Sequence, residues 1–311
     1  MRRSGLIVGL LALGAIAVAV WLLVDRGAGE PAGPEVVVGP GGEALAEPPG
    51  SPDEDVHREI FRERMEWARG EGLDTLPIGT ALARLGETFV GTTYTPGTLD
   101  PEGAERLVVN LAELDCVTFL ENMLAMVRVL RAGQTDSFEA FKRQLERIRY
   151  RGGEMDGYVS RLHYFSEWIG DNEEKGIVTN VTRELGGVRD PEPIHFMTSN
   201  RDAYWQLEDA EVVTAIEAIE ERLSSVDRWV IPQARIADVA SGIQDGDIIA
   251  ATSALPGLDV AHTGMALWKD GRLHLLHAPL VGKSVEISEV PLARRIQGIE
   301  AQDGIMVARP R

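Results

Sequence analysis

The chain has 311 residues, 44% hydrophobic and 26% charged, an ordinary globular composition for one large domain or two small ones. Acids outnumber bases 49 to 31, a formal net charge of −18 that repels polyphosphate and excludes nonspecific nucleic-acid binding. Its single cysteine, Cys116, excludes an internal disulfide and a four-cysteine zinc site.

Arg2 and Arg3 precede an unbroken apolar run from Gly5 to Val24. As a helix this run rises about 30 Å, one hydrocarbon thickness. Residues 1–25 are therefore expected to be a signal peptide or a membrane anchor, with the paired arginines holding the N-terminus in the cytoplasm. Either reading places the rest of the chain in the cell envelope, periplasmic or extracytoplasmic. No cysteine stands near position 25 to carry a lipid. Residues 26–55 are read as a flexible, acidic linker, because such Gly/Pro-rich sequence buries too little apolar surface to offset its ordering entropy.

The folded domain is expected over 56–311. Val56, Ile60, Phe61, Met65 and Ala68 mark one helical face, and Ile78, Leu82, Leu85 and Phe89 mark a second helix. Arg106 to Leu111 reads as a short strand. Leu114 to Leu130, apolar almost all round, reads as a central helix. Phe138, Phe141, Leu145 and Ile148 share a face on the next helix, followed by helices near 161–169 and 208–223 and a strand near 177–183. From 229 strands dominate: 229–237, 247–252, 262–268, 272–278, 283–287 and 304–308. Helices first and strands after predict an α+β fold with helices packed on an antiparallel sheet.

Asp115 is a good N-cap, which places Cys116 at the first helical position. There the helix dipole favours an anion, so the thiol pKa is expected to fall below its usual ~8.5 and to make the sulfur nucleophilic. The competing expectation is a buried cysteine acting as a small hydrophobe. An idle thiol is a liability in an oxidising compartment, which favours the reactive role.

His262-Thr263-Gly264 and His274-Leu275-Leu276-His277 flank Asp270-Gly271, a strong type I′ hairpin signal. If Asp270-Gly271 is the two-residue loop, Lys269 pairs with Arg272 and Leu267 with His274. Gly264 then lies opposite His277, and the period-two alternation puts His262 and His277 diagonally on one face with His274 on the other. A thiol, a base and a group holding the base's far nitrogen make a nucleophile triad, here Cys116, His262 and His277. A metal site from His262, His277 and a carboxylate is the weaker alternative, and no cofactor or metal is expected.

The pattern resembles the NlpC/p60-type cell-wall cysteine peptidases, a papain-like superfamily, through Asp115-Cys116, His262-Thr263-Gly264 and His277-Ala278. More closely, the chain is similar to the N-acetylmuramoyl-L-alanine amidase-like family, a domain-of-unknown-function branch of that superfamily. Gly91-Thr92-Thr93-Tyr94, Leu114 to Glu121, Ser160 to Phe165 with Trp168-Ile169, Phe196 to Ser199, Gly246 to Ile249, Gly257 to His262 and Leu275 to Pro279 carry this likeness. It implies a papain-like fold with the nucleophile helix packed on an antiparallel sheet, residues 133–235 being an insertion relative to a minimal core. It implies Cys116 as nucleophile, His262 as general base and His277 as the group that orients it. Tyr94 would donate to the oxyanion, and Arg161 and Trp168 would contact substrate. The implied substrate is a peptidoglycan amide, cleaved through a thioester. A non-catalytic wall-binding module and a thioester-dependent acyltransferase remain the alternatives.

Overall fold

The computed structural model describes residues 54–280 and 284–311. The expected anchor, the linker up to residue 53 and residues 281–283 lie outside the described residues; among those described, no helix is long and apolar enough to cross a membrane.

The helices follow the apolar periodicities. Helix α1 (Glu54–Gly70) buries Phe61, Met65 and Ala68, and α2 (Ile78–Glu87) buries Leu82 and Leu85. Val56, expected on the buried face of α1, is exposed, and His57 one position on is buried instead, its Nδ1 accepting from the Leu111 amide at 3.2 Å. Helix α3 (Cys116–Arg131) is buried almost all round. Its buried Glu121 and the amide nitrogen of Asn122 are paired. Glu121 meets Arg149 Nε at 2.7 Å and Trp168 Nε1 at 3.1 Å, and Asn122 donates to the Asn110 carbonyl at 2.9 Å. Helix α4 (Phe138–Arg149) packs Phe138 and Phe141 around Phe61. Two further long helices are α5 (Phe165–Glu174) and α6 (Ala210–Ser225), and α7 (Leu292–Gln297) is short.

Strands β1 (Thr93–Tyr94) and β2 (Glu113–Leu114) pair in parallel beside the start of α3. The main sheet is antiparallel and comprises β3 (Val178–Asn180), β4 (Val188–Asp190), β5 (Arg228–Pro232), β6 (Ile248–Ser253), β7 (Val260–Lys269), β8 (Arg272–His277), β9 (Glu286–Ile287) and β10 (Gln302–Pro310). Its order is β4-β5-β10-β6-β7-β8-β9, with β3 pairing along β10. The alternation of β7 and β8 divides the core. Met265, Leu267 and Leu276 pack with Phe119, Leu120 and Met123 of α3, whereas Ala266, Leu273 and Leu275 pack with Leu292 and Ile296 of α7. A third cluster, around Tyr164, Phe196, Met197, Tyr204 and Ile216, fills much of the segment 133–235.

The expected strand over Arg106 to Leu111 is not formed. Its carbonyls are taken by side chains instead of a ladder: Val108 O accepts from Arg149 Nη1 at 2.6 Å and Arg106 O from Tyr150 Oη at 3.3 Å. The expected strand over 229–237 stops at Pro232, which precedes a short 3₁₀ turn.

Candidate active site

The β7–β8 hairpin forms in the expected register, with Lys269 opposite Arg272 and Leu267 opposite His274. Asp270 and Gly271 both have positive φ, 51° and 73°, as the type I′ turn requires. His262 Nε2 and His277 Nδ1 are 2.8 Å apart, with the rings nearly perpendicular at 86°. His274 points to the other face, its Nδ1 at 2.8 Å from the Ser288 carbonyl. The close approach of the strands at His277 needs Gly264. A Cβ there would lie 2.8 Å from Leu276 O and 2.9 Å from the His277 Cβ. Just before His262, Val260 pairs with Thr252 and His262 with Ala251, so Ala261 is an extra residue in a β-bulge. Bulges of this kind re-aim the side chains that follow them.

Cys116 occupies the first position of α3, as expected. Asp115 caps the helix, accepting from the Val117 and Thr118 amides at 3.0 and 2.7 Å, while Thr118 Oγ1 accepts from the Asp115 amide at 2.9 Å. Thr263 Oγ1 donates to the Cys116 carbonyl at 2.8 Å, which ties the strand residue between His262 and Gly264 to the helix start. Among the described residues, no hydrogen bond joins the thiol itself to either ring.

The electrostatics overturn one expectation. Burial pushes the Cys116 thiol up to about 12, and the adjacent Asp115 carboxylate pushes the same way. Hydrogen bonds from Thr263 and from the Cys116 amide at the helix start pull the other way and are outweighed. Burial, followed by His277 and the Arg295 guanidinium, holds the His262 imidazolium well below its usual range. Burial and Arg295 lower His277 to about 2. At neutral pH the resting site is a neutral thiol with two neutral imidazoles.

The remaining expected residues divide. The Tyr94 phenol feels the Cys116 and Asp115 charges, and burial raises its pKa most, so it stays a proton donor near the thiol. Arg161 is 5% exposed and its guanidinium is bound to the Leu99 carbonyl and the Asp100 carboxylate. Trp168 is 1% exposed, stacked on Phe165 at 4.7 Å with its indole N–H on Glu121. Both side chains are spent inside the fold. Sequence reasoning missed Thr263 and Arg295. The polar residue inside His-x-Gly was a signal for the first; nothing local signals an arginine on α7, some thirty residues beyond His262. The histidine rings face each other instead of converging on a common point, and among the described residues no group of three ligating side chains could hold a metal ion.

Solved bacterial proteins share this α+β fold. An N-acetylmuramoyl-L-alanine amidase from Bacteroides uniformis is 37% identical, with a TM-score of 0.72, covering 75% of this chain and 99% of its own. A protein from Bacteroides fragilis described as a putative xylanase is 36% identical, with a TM-score of 0.69, covering 72% and 98%. A Legionella pneumophila protein at 18% identity and a TM-score of 0.62, covering 83% and 95%, shares the fold alone. No curated protein matches the chain. The family model for N-acetylmuramoyl-L-alanine amidase-like proteins matches residues 84–305, and the chain belongs to that family.

Proposed function

We propose that the protein is a cysteine hydrolase of the cell envelope, of NlpC/p60 type, that cleaves an amide bond of peptidoglycan. The observation that carries this reading is the 2.8 Å contact between His262 Nε2 and His277 Nδ1, on a strand whose next residue, Thr263, is bonded to the Cys116 carbonyl. With Nε2 engaged, Nδ1 is the ring nitrogen left to exchange a proton with the thiol. Family membership supports the substrate class, and the similar B. uniformis protein bears the name of a muramoyl-alanine amidase. The N-terminal apolar segment supports the envelope address and membrane attachment or secretion.

Because thiol and imidazoles are neutral at rest, the proton moves in the substrate complex, where active-site hydrogen bonds tighten. The Cys116 thiol gives its proton to His262 Nδ1 as sulfur attacks the amide carbonyl. The oxyanion is met by the Cys116 backbone N–H and the Tyr94 hydroxyl. The imidazolium then protonates the leaving amine, and water activated by the restored His262 hydrolyses the thioester. The bond is either the muramoyl–L-alanine amide or the D-glutamyl–diamino-acid amide of the stem. Arg161 and Trp168 support the cleft from within in this reading. Intact-protein mass spectrometry after brief mixing with muropeptide tests it: a thioester adduct on Cys116, absent from Cys116→Ala, is expected.

The buried, high-pKa thiol favours a second reading, a wall-binding module of the same fold with an idle triad. It predicts muropeptide binding without adduct or product. A thioester-dependent acyltransferase would pass the adduct to an added amine.

A further inference from the structure

We propose that Glu286 is a positioning residue that completes a Cys116–His262–His277–Glu286 relay by holding the outer imidazole in one tautomer. The inference rests on the triad reading above and deepens it.

The donors and acceptors at the two rings fix their tautomers. For His262 to take a proton on Nδ1, that nitrogen must be bare, so the neutral ring carries its hydrogen on Nε2. His262 Nε2–H then donates to His277 Nδ1 across 2.8 Å. His277 Nδ1 is thereby an acceptor, and the His277 hydrogen sits on Nε2. That nitrogen is buried and has no hydrogen-bond partner among the described residues. A buried donor left unmade is costly, so the opposite tautomer competes unless an acceptor stands near.

Glu286 supplies that acceptor. It is the direct cross-strand partner of His277 in the β8–β9 pair, and its Oε1 lies 3.7 Å from His277 Nε2. Its side chain is 42% exposed, so a small rotation closes the gap without disturbing the core. In turnover the carboxylate opposes the cationic Arg295, whose charge disfavours protonation of both rings. The charged and titratable groups that face His277 are thus His262 from β7, Glu286 from β9 and Arg295 from α7.

The test compares the full chain with Glu286→Ala and Glu286→Gln by nitrogen-15 NMR of the histidine rings at neutral pH, alongside muropeptide hydrolysis. Wild type should show His277 as the Nε2–H tautomer. Glu286→Gln keeps an acceptor oxygen and should retain that tautomer. Glu286→Ala should shift His277 towards Nδ1–H and lower kcat about tenfold with KM little changed, the low end of what outer partners of a functional histidine contribute. Unchanged melting temperatures would confirm that both variants fold. One and the same His277 tautomer in all three proteins overturns the proposal, whatever the rates do. A tautomer that responds in a protein inert toward muropeptides leaves Glu286 in place and removes the hydrolase reading instead.

Discussion

Thr263 Oγ1 donates to the carbonyl oxygen of Cys116 at 2.8 Å, across 147 positions of sequence. This bond sets the distance between the helix start and the strand that carries His262. Thr263→Val keeps the β-branched shape and removes the donor. The expected cost is about 1 kcal/mol of stability, typical of one buried hydrogen bond. Turnover should fall by more than the small loss of folded protein explains, and Thr263→Ser should restore it. Thermal melts and muropeptide kinetics on the three proteins check this.

Gly264→Ala should be worse than its size suggests. The new methyl would stand 2.8 Å from the Leu276 carbonyl oxygen and 2.9 Å from the His277 Cβ, and the first of these is backbone that cannot step aside cheaply. We expect a loss of about 1–3 kcal/mol together with a spreading of the histidine pair. Denaturant unfolding measures the first, and the loss of muropeptide turnover reports the second.

The thiol's titration has a defined sign. Folding raises the Cys116 pKa from an ordinary 9.0 to about 12. The folded state therefore holds this proton more tightly, and the associated stability is present below pH 9 and lost as pH rises from 9 through 12. Relative to Cys116→Ala, the wild type should lose stability across that window. Iodoacetamide should label native Cys116 at pH 7 more slowly than the same thiol in urea, and faster as the pH climbs. Rapid stoichiometric labelling at pH 6 would show a preformed thiolate and contradict the neutral resting site.

His277 behaves in the opposite sense. Its folded pKa falls from 6.5 to about 2, so its contribution is present above pH 6.5 and drains away as the pH drops from 6.5 towards 2. Replacing it with alanine should flatten the acid limb of the stability curve. The same substitution should slow muropeptide turnover by about 10²-fold or more, within the range for acid–base groups. His274→Ala, which removes only a bond to the Ser288 carbonyl, should leave turnover near wild type and cost stability. The reverse ranking would mean that His274, not His277, holds the base.

What was legible in the sequence was encoded locally. The Asp115 cap and the Asp270-Gly271 turn are short-range chemistry, so the helix start at Cys116 and the hairpin register both followed from a few neighbouring residues. Period-two alternation then selected His262 and His277 from the histidines of the hairpin. Features set by tertiary packing were not legible. The thiol's pKa moved up instead of down because burial and the Asp115 charge depend on what covers the helix start. Arg106 to Leu111 has the apolar pattern of a strand, but carbonyls in it are claimed by Arg149 at the end of α4 and by Tyr150 just after it, some forty residues away. The edge strand Val188–Asp190 is largely exposed and pairs with β5, so it carries no alternation to read. Arg161, expected to contact substrate, is taken instead by Asp100, a partner sixty-one residues away that local pattern does not reveal.

The central claim is that Cys116 performs amide cleavage on peptidoglycan, and product analysis tests it most directly. Defined muropeptides incubated with the full chain and with Cys116→Ala are resolved by mass spectrometry. The account predicts one new amine terminus from the wild type, at either the muramoyl–L-alanine or the D-glutamyl–diamino-acid bond, and none from the variant. Equal cleavage by Cys116→Ala, or intact muropeptides with both proteins, would contradict it.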